Sequence, residues 1–166
     1  CIRDSHSVAL LDTDPQGSLG RWFLERLDRL GEDEALEFTT SSAWGASYES
    51  EKLKKRFDYV IIDTPPKIDS DLRPALRVAD LVLVPVATSQ VDLWATEGVL
   101  DLARREKCDT LIVLNRTRPH TRLAAEIAQK AAELGAEVAA AQVANRVLYA
   151  ETPVSYTHLR AHETRG

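Results

Sequence analysis

Methionine is absent from the 166 residues, and cysteine occurs only twice, as Cys1 and Cys108. Two thiols cannot build a disulfide framework, and neither stands near another Cys or a His at zinc-ligand spacing. Glycine and proline contribute seven residues each, too few for a collagenous or low-complexity chain. No apolar run approaches the ~20 residues that a membrane span needs. A first residue of Cys with no Met anywhere leads to the expectation that this is a piece of a longer protein.

What is present describes an ordinary core. Apolar residues make up 44% of the chain, charged residues 28%, and the formal charge is −5. That balance opposes disorder, and the length favours one domain. The expected class is a soluble globular domain of a reducing compartment.

Short apolar runs alternate with amphipathic stretches. Val8–Leu11 reads as a buried strand ending at Asp12. Ser18–Leu30 places Leu19, Trp22, Phe23, Leu27 and Leu30 on one helical face, with Gly31 as its cap. Ala35–Thr40 alternates like a half-buried or edge strand. Residues 41–50 read as a small-residue loop containing Trp44, and 51–57 as a short charged helix. Tyr59–Ile62 is a second apolar run, ending at Asp63.

The same pattern continues. Residues 71–79 suit a helix with Pro74 in its first turn. Asp80–Val86 is a strand in which Pro85 marks an end or a bulge. Val91–Arg105 is helical, and Ser89 with Asp92 resembles a capping box. Thr110–Leu114 is a strand, Arg122–Leu134 a helix closed by Gly135, 137–143 a weaker strand, and Arg146–Glu151 the start of another helix. Strands separated by helices cannot pair as hairpins, so the expected fold class is α/β, doubly wound, with a mostly parallel sheet. Continuous Val/Ile/Leu runs fit strands covered on both faces.

Ligands of such folds bind beyond the carboxyl ends of the strands. There stand Asp12-Thr13-Asp14-Pro15-Gln16-Gly17 and Asp63-Thr64-Pro65-Pro66. Two acids leaving parallel strands at one edge can approach one divalent cation, and Mg²⁺ needs only one or two carboxylates besides water and phosphate. Either segment alone could equally cap the following helix. Pro15 stiffens the first turn, and Gly17 would let the backbone pass close to a ligand.

As an ordered set, VALLDTDPQGSLGRW, YVIIDTPP, ADLVLVPVATSQVDLWATEGV, LIVLNR and AQVANRVLYAET resemble the ParA/MinD family of deviant-Walker P-loop ATPases. The likeness runs from about Ser7 to Glu151 and is greatest to short ParA-type partition ATPases, through Ser89, Asp92 and Trp94. That family opens with a strand, a KGGxxKT loop and a helix, none of which precedes Val8 here. The resemblance therefore implies a P-loop NTPase fold without its P-loop strand, a marginal fold and weak ATP binding for the chain as written. Residues 1–153 are expected to be the partial ATPase domain. VSYTHLRAHETRG, residues 154–166, departs from the family and looks similar to a non-native tail, which makes the His158/His162 spacing accidental.

The resemblance also assigns roles. Asp63 would be the Walker-B acid acting on Mg²⁺ through water, Asp14 the acid that supports hydrolysis, and Asp12 a supporting carboxylate. Pro65 would shape the loop near the γ-phosphate, and Asn115 would read adenine, where an ordinary turn Asn is the plainer alternative. Arg104, Arg105, Lys107, Arg116, Arg118 and Arg122 face only Glu106 and Asp109, a local excess of four positive charges. They read either as a nonspecific DNA surface, with Arg116, Arg118, Arg122 and the later Arg146 its candidates, or as a solvated helix end and loop. Trp22, Trp94 and Tyr149 read as packing residues, with Trp94 on a buried stripe or dimer face.

For the parent protein the resemblance implies ATP and Mg²⁺ as cofactors and an ATP-dependent homodimer. It further implies nonspecific DNA and a centromere-binding ParB-type partner, with no membrane, in a bacterial cytoplasm at the nucleoid. The alternatives are a MinD-like cell-division ATPase and a non-hydrolysing DNA-binding scaffold of the same fold. A nitrogenase-reductase-like iron–sulfur protein is disfavoured because the two cysteines lack cluster-ligand contexts.

Overall fold

The structure is a computed structural model that describes residues 6–66, 70–87, 89–117 and 121–145. Strands and helices alternate as β1 (Val8–Asp12), α1 (Ser18–Leu30), β2 (Leu36–Thr40), α2 (Ala46–Leu53) and β3 (Tyr59–Asp63). Then come α3 (Arg73–Val78), β4 (Val82–Ala87), α4 (Gln90–Arg105), β5 (Thr110–Asn115), α5 (Arg122–Glu133) and the two-residue β6 (Glu137–Val138). Every ladder is parallel. The strands form two three-stranded sheets, β2-β1-β3 and β4-β5-β6, and among the described residues no ladder joins β3 to β4.

Helices lie on both faces, as a doubly wound fold requires. Ala9 and Leu11 of β1 pack with Leu53 of α2 and with Val60 and Ile62 of β3. Leu10 alternates to the other face, level with Phe38, where the Phe23 ring of α1 stacks on Phe38 at 5.1 Å. In the second sheet Val84, Val86, Ile112 and Leu114 pack against Leu93 and Leu100 of α4 and Ile127 and Ala131 of α5. Fully burying a side chain such as Leu11, Leu100 or Ile112 is worth about 1.5–3 kcal/mol.

The helix layer fixes how the two sheets point. Near the amino ends of α2 and α3, the Ser47 hydroxyl donates to the Pro74 carbonyl at 3.0 Å. At their carboxyl ends, Lys54 Nζ donates to the Val78 carbonyl at 2.9 Å. Arg77 at the end of α3 bonds Glu106 just past α4 at 2.9 Å, and Leu72 and Leu76 pack on Leu102 and Ala103. The three helices thus run side by side in one direction. Each follows a strand, so the carboxyl ends of β1 to β4, and of β5 paired to β4, face one molecular edge.

Several expectations need correction. Residues 41–50 are not simply a loop: the Ser42 hydroxyl accepts the Gly45 N–H in a 3-10 turn, and α2 begins at Ala46 and ends at Leu53. Ala46, Ser50 and Leu53 are its buried face, and two of these are too small to register as an apolar stripe. Strands β3 and β4 are not covered on both faces, since Tyr59, Ile61 and Leu83 stand about half exposed. Pro85 neither ends nor bulges β4, which continues to Ala87 opposite Asn115. Its missing N–H is tolerated because β4 has one open edge. The 137–143 strand shrinks to β6 plus a single bridge between Thr117 and Ala144. Trp22 is half-buried as expected for packing, but Trp94 is 60% exposed. Tyr149 and the expected helix at 146–151 lie outside the described residues.

Candidate functional site

Asp12 and Asp63 end β1 and β3, and the parallel register sets them directly side by side. Thr13 fastens that junction. Its N–H and its hydroxyl both donate to the Asp63 carbonyl, at 2.9 and 2.8 Å. Asp12 is 2% exposed. Its Oδ1 accepts the Asp14 N–H at 2.9 Å and its Oδ2 the Gly20 N–H at 3.3 Å. Both oxygens are therefore occupied by backbone, and Asp12 works by holding Asp14 and the first turn of α1 in place.

Asp14 is half-buried and opens a tight turn. Its carbonyl accepts the Gly17 N–H at 3.0 Å, and its Oδ1 accepts the Gln16 N–H at 3.0 Å. Gly17 has φ 64, and an added Cβ would meet nothing within 4 Å. Its left-handed backbone is a conformation that glycine adopts at no steric cost. It leads into α1 without a side-chain cap.

The three carboxylates share one field. Burial raises the Asp63 pKa, and the charges of Asp12 and Asp14 raise it further, against a lowering contribution from a backbone hydrogen bond at Thr64. A cation at this edge would relieve that repulsion. Among the described residues no group of three or more His, Cys, Asp or Glu side chains could hold a metal unaided. With Asp12 buried and bonded to backbone, Asp14 and Asp63 are the carboxylates better exposed at this edge. That fits a hard ion that keeps its waters and takes its remaining oxygens from phosphate. Pro65 is half-buried two residues after Asp63.

Asn115 ends β5 at the same molecular edge, in the second sheet. Its Oδ1 accepts the Arg116 N–H at 2.8 Å, and Arg116 is exposed in the left-handed region at φ 53. Arg122 pairs with Glu126 at 2.7 Å. Arg118 and Arg146 lie outside the described residues. The basic run from 104 to 122 is not one patch. Arg104, Arg105 and Lys107 stand before β5 and Arg116 after it, separated by a six-residue strand of roughly 20 Å. Arg104 is further committed to Asp101 at 2.8 Å and to the Leu134 carbonyl.

Two residues at this edge escaped the sequence reading. Thr13 stood only as part of the Asp12–Gly17 segment, and its one signal was its place immediately after a strand. Gly20 lies inside a helix, where glycine is costly, yet a Cβ there would come 3.1 Å from the Phe38 ring. Its close approach lets its N–H reach Asp12.

Comparison with known proteins agrees with this geometry. A family model described as an AAA domain matches residues 30–111. The chain is 28% identical over 151 residues to the maintenance of carboxysome distribution protein A of Halothiobacillus neapolitanus, spanning 86% of this chain and 68% of that protein. Its fold superposes on a Borrelia burgdorferi B31 protein assigned to plasmid partition and bound to AMPPNP. There the TM-score is 0.70 at 16% identity, over 92% of this chain and 79% of that one. It also superposes on the septum site-determining protein MinD of Pyrococcus horikoshii complexed with Mg-ADP. In that case the TM-score is 0.64 at 14% identity, over 90% and 73% of the two chains. Among the described residues no helix is long and apolar enough to cross a membrane. With DTDPQG after β1 and DTPP after β3 on this parallel framework, the chain has the α/β fold of the ParA and MinD ATPases.

Proposed function

We propose that the parent protein is a Mg²⁺-dependent ATPase that dimerises around ATP, associates with nonspecific DNA and distributes a large cargo. Plasmid or chromosome segregation through a centromere-binding ParB-type partner is the first reading. The observation that supports it is the pairing of Asp12 with Asp63, with Asp14 held to Asp12 at the same sheet edge. Asp14 and Asp63 would hold Mg²⁺, which neutralises phosphate charge when bound. Asp12 orients Asp14, and Asp14 and Asp63 position water for in-line attack on the γ-phosphate. Asn115, its Oδ1 engaged by Arg116, keeps its amide N–H groups to donate to a base, and Pro65 shapes the adjoining loop. The open edges of β3 and β4 support a partial ATPase domain over residues 1–153 that a further parallel strand, bearing the phosphate loop, would complete.

In the full-length ATPase, Asp14→Ala should lower turnover by about 10²–10³-fold while nucleotide binding changes little. Unchanged turnover would remove Asp14 from the chemistry. Absence of turnover in the unsubstituted protein, with DNA binding intact, would favour the non-hydrolysing scaffold. A second cargo reading, carboxysome distribution, is favoured by the 28% identity to the Halothiobacillus protein. A MinD-like role at the division site predicts vesicle binding instead of DNA binding. The partition reading places the protein in the bacterial cytoplasm at the nucleoid.

A further inference from the structure

Arg116, directly after Asn115 at the carboxyl end of β5, holds a left-handed backbone at φ 53. A residue with a Cβ is disfavoured there and keeps that conformation only where its neighbours impose it. Here both do. Asn115 is fixed in the ladder opposite Ala87, and Thr117 is fully buried and bridged to Ala144. The Thr117 N–H donates to the Val143 carbonyl at 3.0 Å, and its carbonyl accepts the Asn145 N–H at 2.7 Å.

The turn brings the Arg116 N–H onto Asn115 Oδ1 at 2.8 Å. A main-chain N–H only donates, so the atom it meets must be the amide oxygen, and the Asn115 amide is held in one of its two flips. The bond closes on the Cβ side of the amide. One Oδ1 lone pair and an Nδ2 N–H are left side by side on its other edge. Which flip is held decides which purine fits. Adenine offers its N6–H donor beside a ring-nitrogen acceptor, whereas guanine offers its O6 acceptor beside the N1–H donor. An amide free to turn over makes two hydrogen bonds with either base. With its oxygen pinned it matches adenine alone, because turning over would set Nδ2–H against the Arg116 N–H.

We propose that Arg116 is a positioning residue whose main-chain N–H locks the Asn115 amide and so selects a 6-aminopurine over a 6-oxopurine. This rests on the reading of Asn115 as the base-facing residue of an ATPase, and adds the group that sets the choice of base. The Arg116 side chain is exposed and has no part in the lock, so its charge stays available for other contacts.

The test is equilibrium binding of ATP and of GTP, each with Mg²⁺, to the full-length protein, read by displacement of a ribose-labelled fluorescent ATP. The unsubstituted protein should prefer ATP by about 10-fold or more, the discrimination of one good bidentate pair. Replacing the Asn115–Arg116 amide by an ester, through the α-hydroxy analogue of arginine, deletes the N–H and leaves both side chains. The ester protein should bind GTP about 10-fold more tightly, while its affinity for ATP changes less than about threefold. A misfolded variant would lose both nucleotides together and cannot gain GTP. Arg116→Ala keeps the N–H and should keep the preference. The parental preference in the ester protein would overturn the lock, as would its loss in Arg116→Ala, which would assign the choice to the guanidinium. Equal binding of both nucleotides by the unsubstituted protein would overturn the lock and leave the ATPase reading standing. Binding of neither would overturn that reading, and the lock with it.

Discussion

Replacing Asp12 with alanine tests whether that carboxylate is the brace of the sheet edge. The change strands two backbone donors, Asp14 N–H at 2.9 Å and Gly20 N–H at 3.3 Å, beneath a side chain that is 2% exposed. A buried donor left without its acceptor costs about 1–3 kcal/mol, and the longer bond belongs at the low end. Against this, removing one negative charge relieves Asp63, worth at most about 1 kcal/mol at a half-exposed site. The net expectation is a loss of roughly 2–3 kcal/mol at pH 7. For a chain of this size that lowers Tm by about 4–12 °C. Asp12→Asn keeps one acceptor and should lose about half as much. Urea unfolding followed by far-UV circular dichroism, without Mg²⁺, reads both variants. Asp12→Ala within about 0.5 kcal/mol of the parent, or Asp12→Asn more stable than it, would show that repulsion outweighs the brace.

The raised pKa of Asp63 means that folding takes up a proton between the ordinary carboxylate value of 3.8 and the higher folded value. Stability contributed by this group is thus present at low pH and lost as pH rises through that window. Asp63→Asn should therefore stabilise the metal-free protein by roughly 0.5 kcal/mol at pH 7, with the gain vanishing in acid. Equal stability at both pH values would contradict the shared field. Gly17→Ala forces a side chain into φ 64 and should cost about 1 kcal/mol in the same urea assay; no loss would mean the turn relaxes freely. Arg116→Glu in the full-length protein should weaken DNA binding and reduce the slope of its salt dependence by about one. An unaltered slope would leave Arg116 as solvated surface.

Much of the framework was legible because its signals are local. β1, α1, α4 and β5 emerged from apolar runs, a helical stripe, the Ser89 cap and Gly31, all read within a few residues. The shared edge of Asp12 and Asp63 was legible too, since acids that close parallel strands of one sheet face the same side. What Asp12 does there was not, because backbone N–H groups two and eight residues further along leave no trace in side-chain pattern. The start of α2 was hidden by Ala46 and Ser50, whose burial is as complete as that of leucine but whose hydrophobicity is slight. The basic run around β5 misled for a geometric reason. Neighbours in sequence on either side of a strand emerge at opposite ends of the sheet.

Strands β3 and β4 each keep one row of main-chain groups outside any ladder among the described residues, so the two halves meet there through the α2–α3–α4 layer and not through a ladder. Such a seam divides the molecule into separate opening units. Deuterium uptake should then be slowest in β1 and β5, each flanked on both sides, and fast along the outward amides of β3 and β4. Either half could unravel briefly while its neighbour stays protected.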